Sequence, residues 1–397
     1  MRVKVSLFGL IDMIRFKKLR DRRKDWIDRT PKAPIPKSYP VNDLAREFHP
    51  VSQDLVIADI QRPNENVSLF TLKARNPGQK LAPFRAGSFI SLTIKVGESR
   101  VSRTFSICSS PASAFGDGGY YQFAIQRAPN GFFSRIMVDH AKVGDPVVAS
   151  DPGGTLNYSR LRDEKRVIAL AGGSGITPFI SMARAIGDGV EDFDLTLICG
   201  FRKVKDIFFE DELNEIERRT GKVHHIYVIS DEETSDYPRG FITADMVKQA
   251  SRGEPYSVFA AGPAGFLKYL DTELKPLNLD LKHYRLERSS FARNRDPEAS
   301  IYTLKVKIED DTYTCPARSD ETVLTALERA GISIRNKCRE GACGVCRSKL
   351  IKGKVSWPDS AKLRMVDREY GYFHPCVSYP QSDLEILVDR YQEAEEK

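Results

Sequence analysis

Hydrophobic positions along this chain change their spacing three times. Near the start, Val3, Leu7, Leu10 and Ile14 recur every three to four residues, which predicts a short helix with one apolar face, followed by Lys17, Lys18 and Arg20. Pro31, Pro34, Pro36 and Pro40 then read as an extended linker. From about Val56 the pattern becomes short alternating or β-branched runs broken by Gly and Pro: Val56 to Ile60, Val67 to Ala74, Ser88 to Val96, Arg103 to Cys108, Tyr120 to Gln126 and Pro146 to Ala149. Such runs predict a small antiparallel barrel. Strands and helices alternate next: Val167 to Ala171, a helix from Pro178, Asp194 to Cys199, a helix near Asp211 to Arg218, Val223 to Ile229 and Tyr256 to Ala261. That alternation predicts a parallel α/β sheet. After the polar segment Arg288 to Ser300, a third unit opens with a strand from Tyr302 to Ile308 and a helix from about Glu321 to Ala330, with Asp320 as its cap and Gly331 as its stop.

A chain of 397 residues suggests two or three domains. It has no run of eighteen apolar residues, so a soluble protein is expected. Charge is uneven. Residues 1–50 hold thirteen Lys or Arg against six Asp or Glu, so the whole net charge of +7 sits there and the other 347 residues balance at 48 of each sign. A nucleic-acid-binding protein carries its positive charge on the folded body, so no nucleic-acid partner is expected. The basic segment with its apolar spacing suits peripheral contact of residues 1–20 with an anionic membrane, a docking helix for a partner, or a helix packed on its own protein. Asp12, Asp21, Asp25 and Asp28 disfavour a cleaved signal or presequence. Seven cysteines, four of them in the last sixty residues, do not form a secreted disulfide framework. A reducing, cytoplasmic location fits better, with the inner face of the membrane as its variant.

Those four cysteines carry chemistry. Cys338, Cys343 and Cys346 form C-x4-C-x2-C, and Cys376 follows after twenty-nine residues, the plant-type ligand spacing for a 2Fe-2S cluster. Gly341, Ala342 and Gly344 keep the loop small enough for its backbone to wrap inorganic sulfide and aim N–H groups at it. Zinc more often takes paired C-x2-C ligands, and unligated buried thiols are the other alternative. With the whole segment CREGACGVC, residues 300–397 resemble the 2Fe-2S ferredoxin family. Cys108, Cys199 and Cys315 fall outside the motif and read as packed core thiols.

Upstream, Arg103-Thr104-Phe105-Ser106 lies on a predicted strand, so alternation places Arg103 and Phe105 on one face and Thr104 and Ser106 on the other. A flavin needs a cation for its phosphate, an aromatic face and a small hydrogen-bonding group. Asn130-Gly131-Phe132-Phe133-Ser134 precedes a predicted helix from Ser134 to Asp139, whose first amides and Ser134 hydroxyl suit a pyrophosphate. The two segments resemble the R-x-Y-S and G-x-x-S flavin motifs of the ferredoxin-NADP reductase superfamily. The resemblance implies that Arg103 neutralises phosphate, Phe105 lies against the isoalloxazine ring and Ser106 hydrogen-bonds it. Phe105 replaces the usual Tyr, which keeps stacking and loses the phenol. Ser134 and a full-length loop favour FAD over FMN.

The strand Val167 to Ala171 runs into Gly172-Gly173-Ser174-Gly175-Ile176-Thr177-Pro178, with Thr177 placed to cap the helix and Pro178 at its first position. The glycines let backbone approach a diphosphate. This is not G-x-G-x-x-G, because Pro178 stands at the third glycine; it resembles the G-G-x-G-I-T-P segment of the same superfamily. Cys199-Gly200-Phe201-Arg202 resembles the family's G-x-R segment on the adenosine side, and Arg202, Lys203 and Lys205 suit either a 2′-phosphate or a solvated loop, so NADH and NADPH both stay open. At Gly262-Pro263 the family often has Cys-Gly-Pro, whereas this chain has Ala261 in the thiol's place. Glu287 matches a Glu-containing segment near the flavin, which implies a catalytic position.

The resemblance covers about residues 53–397 and is to the phthalate dioxygenase reductase type. It implies a multidomain α/β plus β protein: a basic extension (1–52), an antiparallel flavin-binding barrel (53–158), a parallel α/β nucleotide domain (159–288), a linker (289–299) and a β-grasp ferredoxin domain (300–397). It further implies Thr177 beside the flavin, Gly172, Gly173, Ser174, Gly175, Arg202, Gly262 and Pro263 at NAD(P), and electron transfer from NAD(P)H through flavin to the cluster. The electron acceptor is then a terminal oxygenase, hydroxylase or other metalloenzyme; the alternatives are a self-contained reductase of a small acceptor and a fold that has lost its cofactors.

Overall fold

The computed structural model of the protein describes residues 7–30, 39–97, 99–128, 131–288, 296–359, 361 and 363–388. Val3, most of the Pro-rich stretch and most of the polar segment after Arg288 lie outside them. The chain divides into two compact units, Met1–Arg46 and Glu47–Lys397. In the first, helix α1 spans Leu7–Arg29, a turn or more beyond the expected short helix. Asp25 and Arg29 pair at 2.9 Å one turn apart and support the extra length. Pro40 does not extend the linker but starts helix α2, Pro40–Phe48, where a fixed φ and a missing N–H cost nothing.

Among the described residues, the strands of the second unit form three main sheets and a two-stranded ribbon. The first sheet is antiparallel, in the order β4-β3-β6-β1-β2-β5. Its strands are β1 Gln53–Gln61, β2 Val67–Ala74, β3 Phe89–Val96, β4 Ser99–Ser106, β5 Tyr120–Gln126 and β6 Pro146–Ala149, with helix α3, Phe132–His140, after β5. The sheet curls, because the Cys108 amide just past β4 donates to the Gln122 carbonyl of β5 at 2.8 Å. The start of β4 differs from expectation: Ser99, Arg100 and Ser102 are polar around the buried Val101, yet the four pair with Val96 to Thr93. Tertiary pairing decides there, not β-propensity.

The second sheet is parallel, in the order β11-β10-β7-β8-β9. It contains β7 Arg166–Gly172, β8 Asp194–Phe201, β9 Val223–Ile229, β10 Tyr256–Gly262 and β11 Tyr284–Arg288, with helices α4 Thr177–Gly187, α5 Glu210–Thr220, α6 Ala244–Ser251 and α7 Ala264–Glu273. Every residue of β7 is buried, as expected for a central parallel strand covered on both faces. Helix α5 opens with Glu210, Asp211 and Glu212 and closes with Arg218 and Arg219 before Gly221, which complements its dipole at both ends. One apolar core runs from Val67, Leu69 and Cys108 of the first module into Val167, Ile176 and Phe179 of the second, so these two modules are packed together.

The third sheet is mixed, in the order β13-β12-β18-β14-β16. Its strands are β12 Ile301–Ile308, β13 Asp311–Arg318, β14 Ser348–Lys352, β16 Tyr372–Phe373 and β18 Leu384–Val388; β15 Val355–Ser356 and β17 Tyr379–Pro380 form the ribbon. Helix α8, Val323–Arg329, and helix α9, Met365–Glu369, complete the module, which has its own apolar core. The cap of α8 is Thr322, whose hydroxyl takes the Thr325 amide at 3.2 Å, and not Asp320. Asp320 instead pairs with Arg318 at 2.9 Å, which leaves Thr322 adjacent to the first turn.

Candidate functional site

Four thiols meet at one end of the third module as two pairs, Cys338 with Cys343 and Cys346 with Cys376. In each pair the hydrogen bond from one thiol pulls the other down, to about 5 for Cys338, and the donors Cys343 and Cys376 are held high. The Cys338 sulfur also accepts the amides of Glu340 and Cys343, each at 3.4 Å. Among the described residues no three His, Cys, Asp or Glu side chains converge as a single metal ion would require. Thiols in two pairs suit a dinuclear centre with two thiolates per iron. Gly344, between the second and third cysteines, has φ +71, a left-handed conformation that favours glycine and lets the loop turn tightly. His374 braces the same loop, with Nδ1 on the Gly341 carbonyl and Nε2 2.8 Å from the Asp367 carboxylate.

Strand β4 carries Arg103, Thr104, Phe105 and Ser106 at the edge of the first sheet. Phe105 rests on Phe133 of α3 with ring centroids 5.4 Å apart. Gly131 is the residue before α3, and the Ser134 hydroxyl accepts the Ala128 amide at 3.1 Å. Helix α3 starts at Phe132, two residues earlier than expected, so its first-turn amides, which have no helical acceptor, lie at the end of this segment. That arrangement fits a pyrophosphate. Arg103 is committed in part elsewhere: its Nη1 donates to the Ser102 carbonyl at 2.6 Å and to Glu328 of the third module at 3.1 Å. Burial, then the neighbouring Arg339, lower its pKa to about 10.

At the other end of β4, the Ser106 hydroxyl donates to Glu287 of β11 at 2.8 Å. The structure thus joins two positions 181 residues apart in sequence that were singled out separately. Gly172 and Gly262 end the parallel strands β7 and β10, and Gly173 to Ile176 form a 3-10 turn between β7 and α4. A Cβ on Gly175 would sit 2.1 Å from the Ala261 carbonyl oxygen, so the glycine turn lies backbone to backbone against the end of β10. Pro263 precedes α7. The crevice at the carboxyl ends of parallel strands is where ligands of such sheets bind. Thr177 does not cap α4; its hydroxyl turns back to the Ser174 carbonyl at 3.0 Å and closes the glycine loop on itself. Arg202 is exposed and held by Asp231 at 2.8 Å.

Residue patterns missed the contacts between modules. On α4, Arg184 pairs with Glu212 and donates to the Cys108 carbonyl at 2.9 Å and to the Gln122 side chain at 2.7 Å, tying the first sheet to the second. Glu328 sits one turn after Leu324 on a buried face of α8. An acid on an apolar helical stripe was the available signal, since a buried carboxylate requires a partner.

Three family models match in the same order: an oxidoreductase FAD-binding domain at residues 54–158, an oxidoreductase NAD-binding domain at 169–272 and a 2Fe-2S iron-sulfur cluster binding domain at 306–381. The chain belongs to the flavin-dependent reductases with a C-terminal 2Fe-2S domain. Relatives of this reductase include the glycine betaine monooxygenase reductase subunit of Chromohalobacter salexigens, 26% identical over 76% of this chain and 87% of that protein. NADH oxidoreductase HCR of Escherichia coli is 26% identical over 76% and 88%. The solved phthalate dioxygenase reductase shares the fold, with TM-score 0.63 and 23% identity over 85% of this chain and 98% of that one. The matched domains give this chain FAD, a nicotinamide dinucleotide and a 2Fe-2S cluster as its cofactors.

Proposed function

We propose that this reductase carries electrons from NADH through FAD and the cluster to a separate terminal oxygenase, hydroxylase or other metalloenzyme. One observation carries the reading: β4 touches the nucleotide module through Ser106 and Glu287 and the cluster module through Ser102, Arg103 and Glu328. The flavin segment therefore lies between the other two. FAD supplies the step between a two-electron hydride donor and a one-electron cluster.

The protein binds and orients. Arg103 offers the flavin phosphate those of its five N–H donors that Ser102 and Glu328 do not use. The α3 amides and Ser134 take the pyrophosphate, Thr104 lines the same strand, and Phe105 with Phe133 shields one side from water. Ser106 holds its proton on Glu287, fixing both groups where nicotinamide meets flavin. The loop from Gly172 to Gly175, shaped by Thr177, with Gly262 and Pro263, seats the dinucleotide, and Arg202 lies on its adenosine side. Cys338, Cys343, Cys346 and Cys376 are the ligands of the cluster.

The monooxygenase named for one relative and the dioxygenase named for the solved structure support an oxygenase partner. Cys343→Ser tests the relay. Cytochrome c reduction should fall at least tenfold while ferricyanide reduction by NADH persists. Equal rates with both acceptors in variant and wild type would overturn the relay and favour direct reduction of a small acceptor by flavin.

We further propose that residues 1–20 touch an anionic membrane, placing the reductase on the cytoplasmic face. Exposed Leu10, Met13, Ile14, Phe16 and Leu19 beside the local charge of +7 support this. Among the described residues no helix is long and apolar enough to cross a membrane.

A further inference from the structure

Glu328 receives five hydrogen bonds on two oxygens. Its Oε1 accepts the Ser102 amide at 3.1 Å, the Ser102 hydroxyl at 2.9 Å and Arg339 Nη1 at 2.7 Å; its Oε2 accepts Arg103 Nη1 at 3.1 Å and Arg339 Nη2 at 3.0 Å. The residue is 5% exposed and Arg339 9%. The two guanidinium groups arrive from different modules. Arg103 belongs to the flavin strand, and Arg339 follows the cluster cysteine Cys338 in a left-handed conformation, φ +54. An ion pair serving the cluster module alone would end at Glu328 and Arg339. Here a backbone amide, a hydroxyl and a second cation of the edge strand β4 converge on the same carboxylate.

The surroundings reinforce the geometry. Asn336 Oδ1 lies 2.9 Å from the Ser102 hydroxyl, and Arg339 Nη1 lies 3.0 Å from it. That hydroxyl has one proton for two acceptors; with the proton on Glu328, Asn336 Oδ1 takes its hydrogen bond from Arg339 Nη1 at 3.4 Å. At the rim, Lys337 pairs with Asp151 at 2.7 Å and the Ser99 hydroxyl donates to the Arg329 carbonyl at 3.4 Å. The half-buried Lys337–Asp151 contact is a single ion pair to one side, whereas the buried Glu328 carboxylate, gripped on both oxygens by Arg339, fixes direction as well as distance. Moving the cluster module away from β4 would strand Arg103 and the Ser102 amide without their acceptor.

We propose, resting on the relay reading above, that Glu328 is a positioning residue for electron transfer from flavin to cluster. It fixes Cys338 against the strand that carries Arg103 and Ser106, and so sets the separation that each single electron crosses. Hydride arrival at the flavin does not depend on it.

The test compares wild type, Glu328→Gln and the double variant Glu328→Met/Arg339→Met as full-length holoproteins. Anaerobic stopped-flow mixing with NADH separates flavin reduction from cluster reduction, and freeze-quench EPR reads the cluster. In both variants cluster reduction should slow at least tenfold, flavin reduction should change less than twofold, and the EPR line shape should persist. Deuterium uptake by the amides of β4 and α8 should rise in the variants before any NADH is added. The double variant removes both buried charges together, so it reads the contact if the single change prevents folding. Cluster reduction at the wild-type rate in the folded variants overturns the role of Glu328 alone. A wild-type cluster that NADH never reduces takes down the relay reading and this role with it.

Discussion

Asp231 holds Arg202 by a hydrogen bond of 2.8 Å, and the carboxylate is itself stabilised by the Ser230 hydroxyl first and Arg202 second, which lowers its pKa. Glu232 adds a second carboxylate by accepting the Val204 amide at 2.5 Å. An incoming 2′-phosphate would have to displace Asp231 and sit among acids, so NADH should be preferred over NADPH. Asp231→Asn should raise kcat/KM for NADPH by no more than about fivefold, because an exposed pair is worth only about 0.2–1 kcal/mol; steady-state rates with each nucleotide check it. No gain with NADPH would mean that Arg202 does not face the ribose. The identity of Arg202 was readable in the sequence, but its partner was not, since 29 residues and a strand separate the two. The cluster thiols differ because three of them lie within nine residues, where spacing alone restricts geometry.

Elements were legible where hydrophobic period and end signals agree. Strands β2, β5, β6 and β9 have the expected bounds because their apolar runs are closed by turn residues. Helices α6 and α7 and strand β11 escaped notice, being short and carrying polar residues on their outer faces. The glycine loop was visible as a turn, but its purpose was only half visible. Besides opening room for a ligand, Gly175 lets the turn after β7 lie against the end of β10, with 2.1 Å between an added Cβ and the Ala261 oxygen. Backbone cannot yield as a flexible side chain would. Gly175→Ala should therefore displace the loop, raise KM for NADH at least tenfold and cost about 1–3 kcal/mol, as overpacking does. Flavin and cluster absorbance should remain. A KM within twofold of wild type would show that the loop accommodates the methyl group.

At the scale of the whole molecule, module order could be read along the chain while the docking of modules could not. Ser102 and Glu328 are 226 residues apart, and neither sits in a motif. The remaining question at this scale is what the basic N-terminal segment adds. Along α1, Leu10, Ile11 and Ile14 share a face, but Lys18, Asp21 and Asp25 occupy its next turns. So short an apolar stripe buries little area in a bilayer, and attraction of the local +7 to anionic lipid must supply most of any affinity. Full-length protein should co-sediment with vesicles containing anionic lipid and not with neutral vesicles, and protein lacking residues 1–46 should stay in solution. Raising ionic strength from about 0.01 M to about 1 M shortens the screening length from about 30 Å to about 3 Å, so the bound fraction should drop to that of the truncated form. Binding that persists in high salt would assign the contact to the apolar residues instead. Equal sedimentation of both forms would remove the membrane from the account and leave α1 to a protein partner.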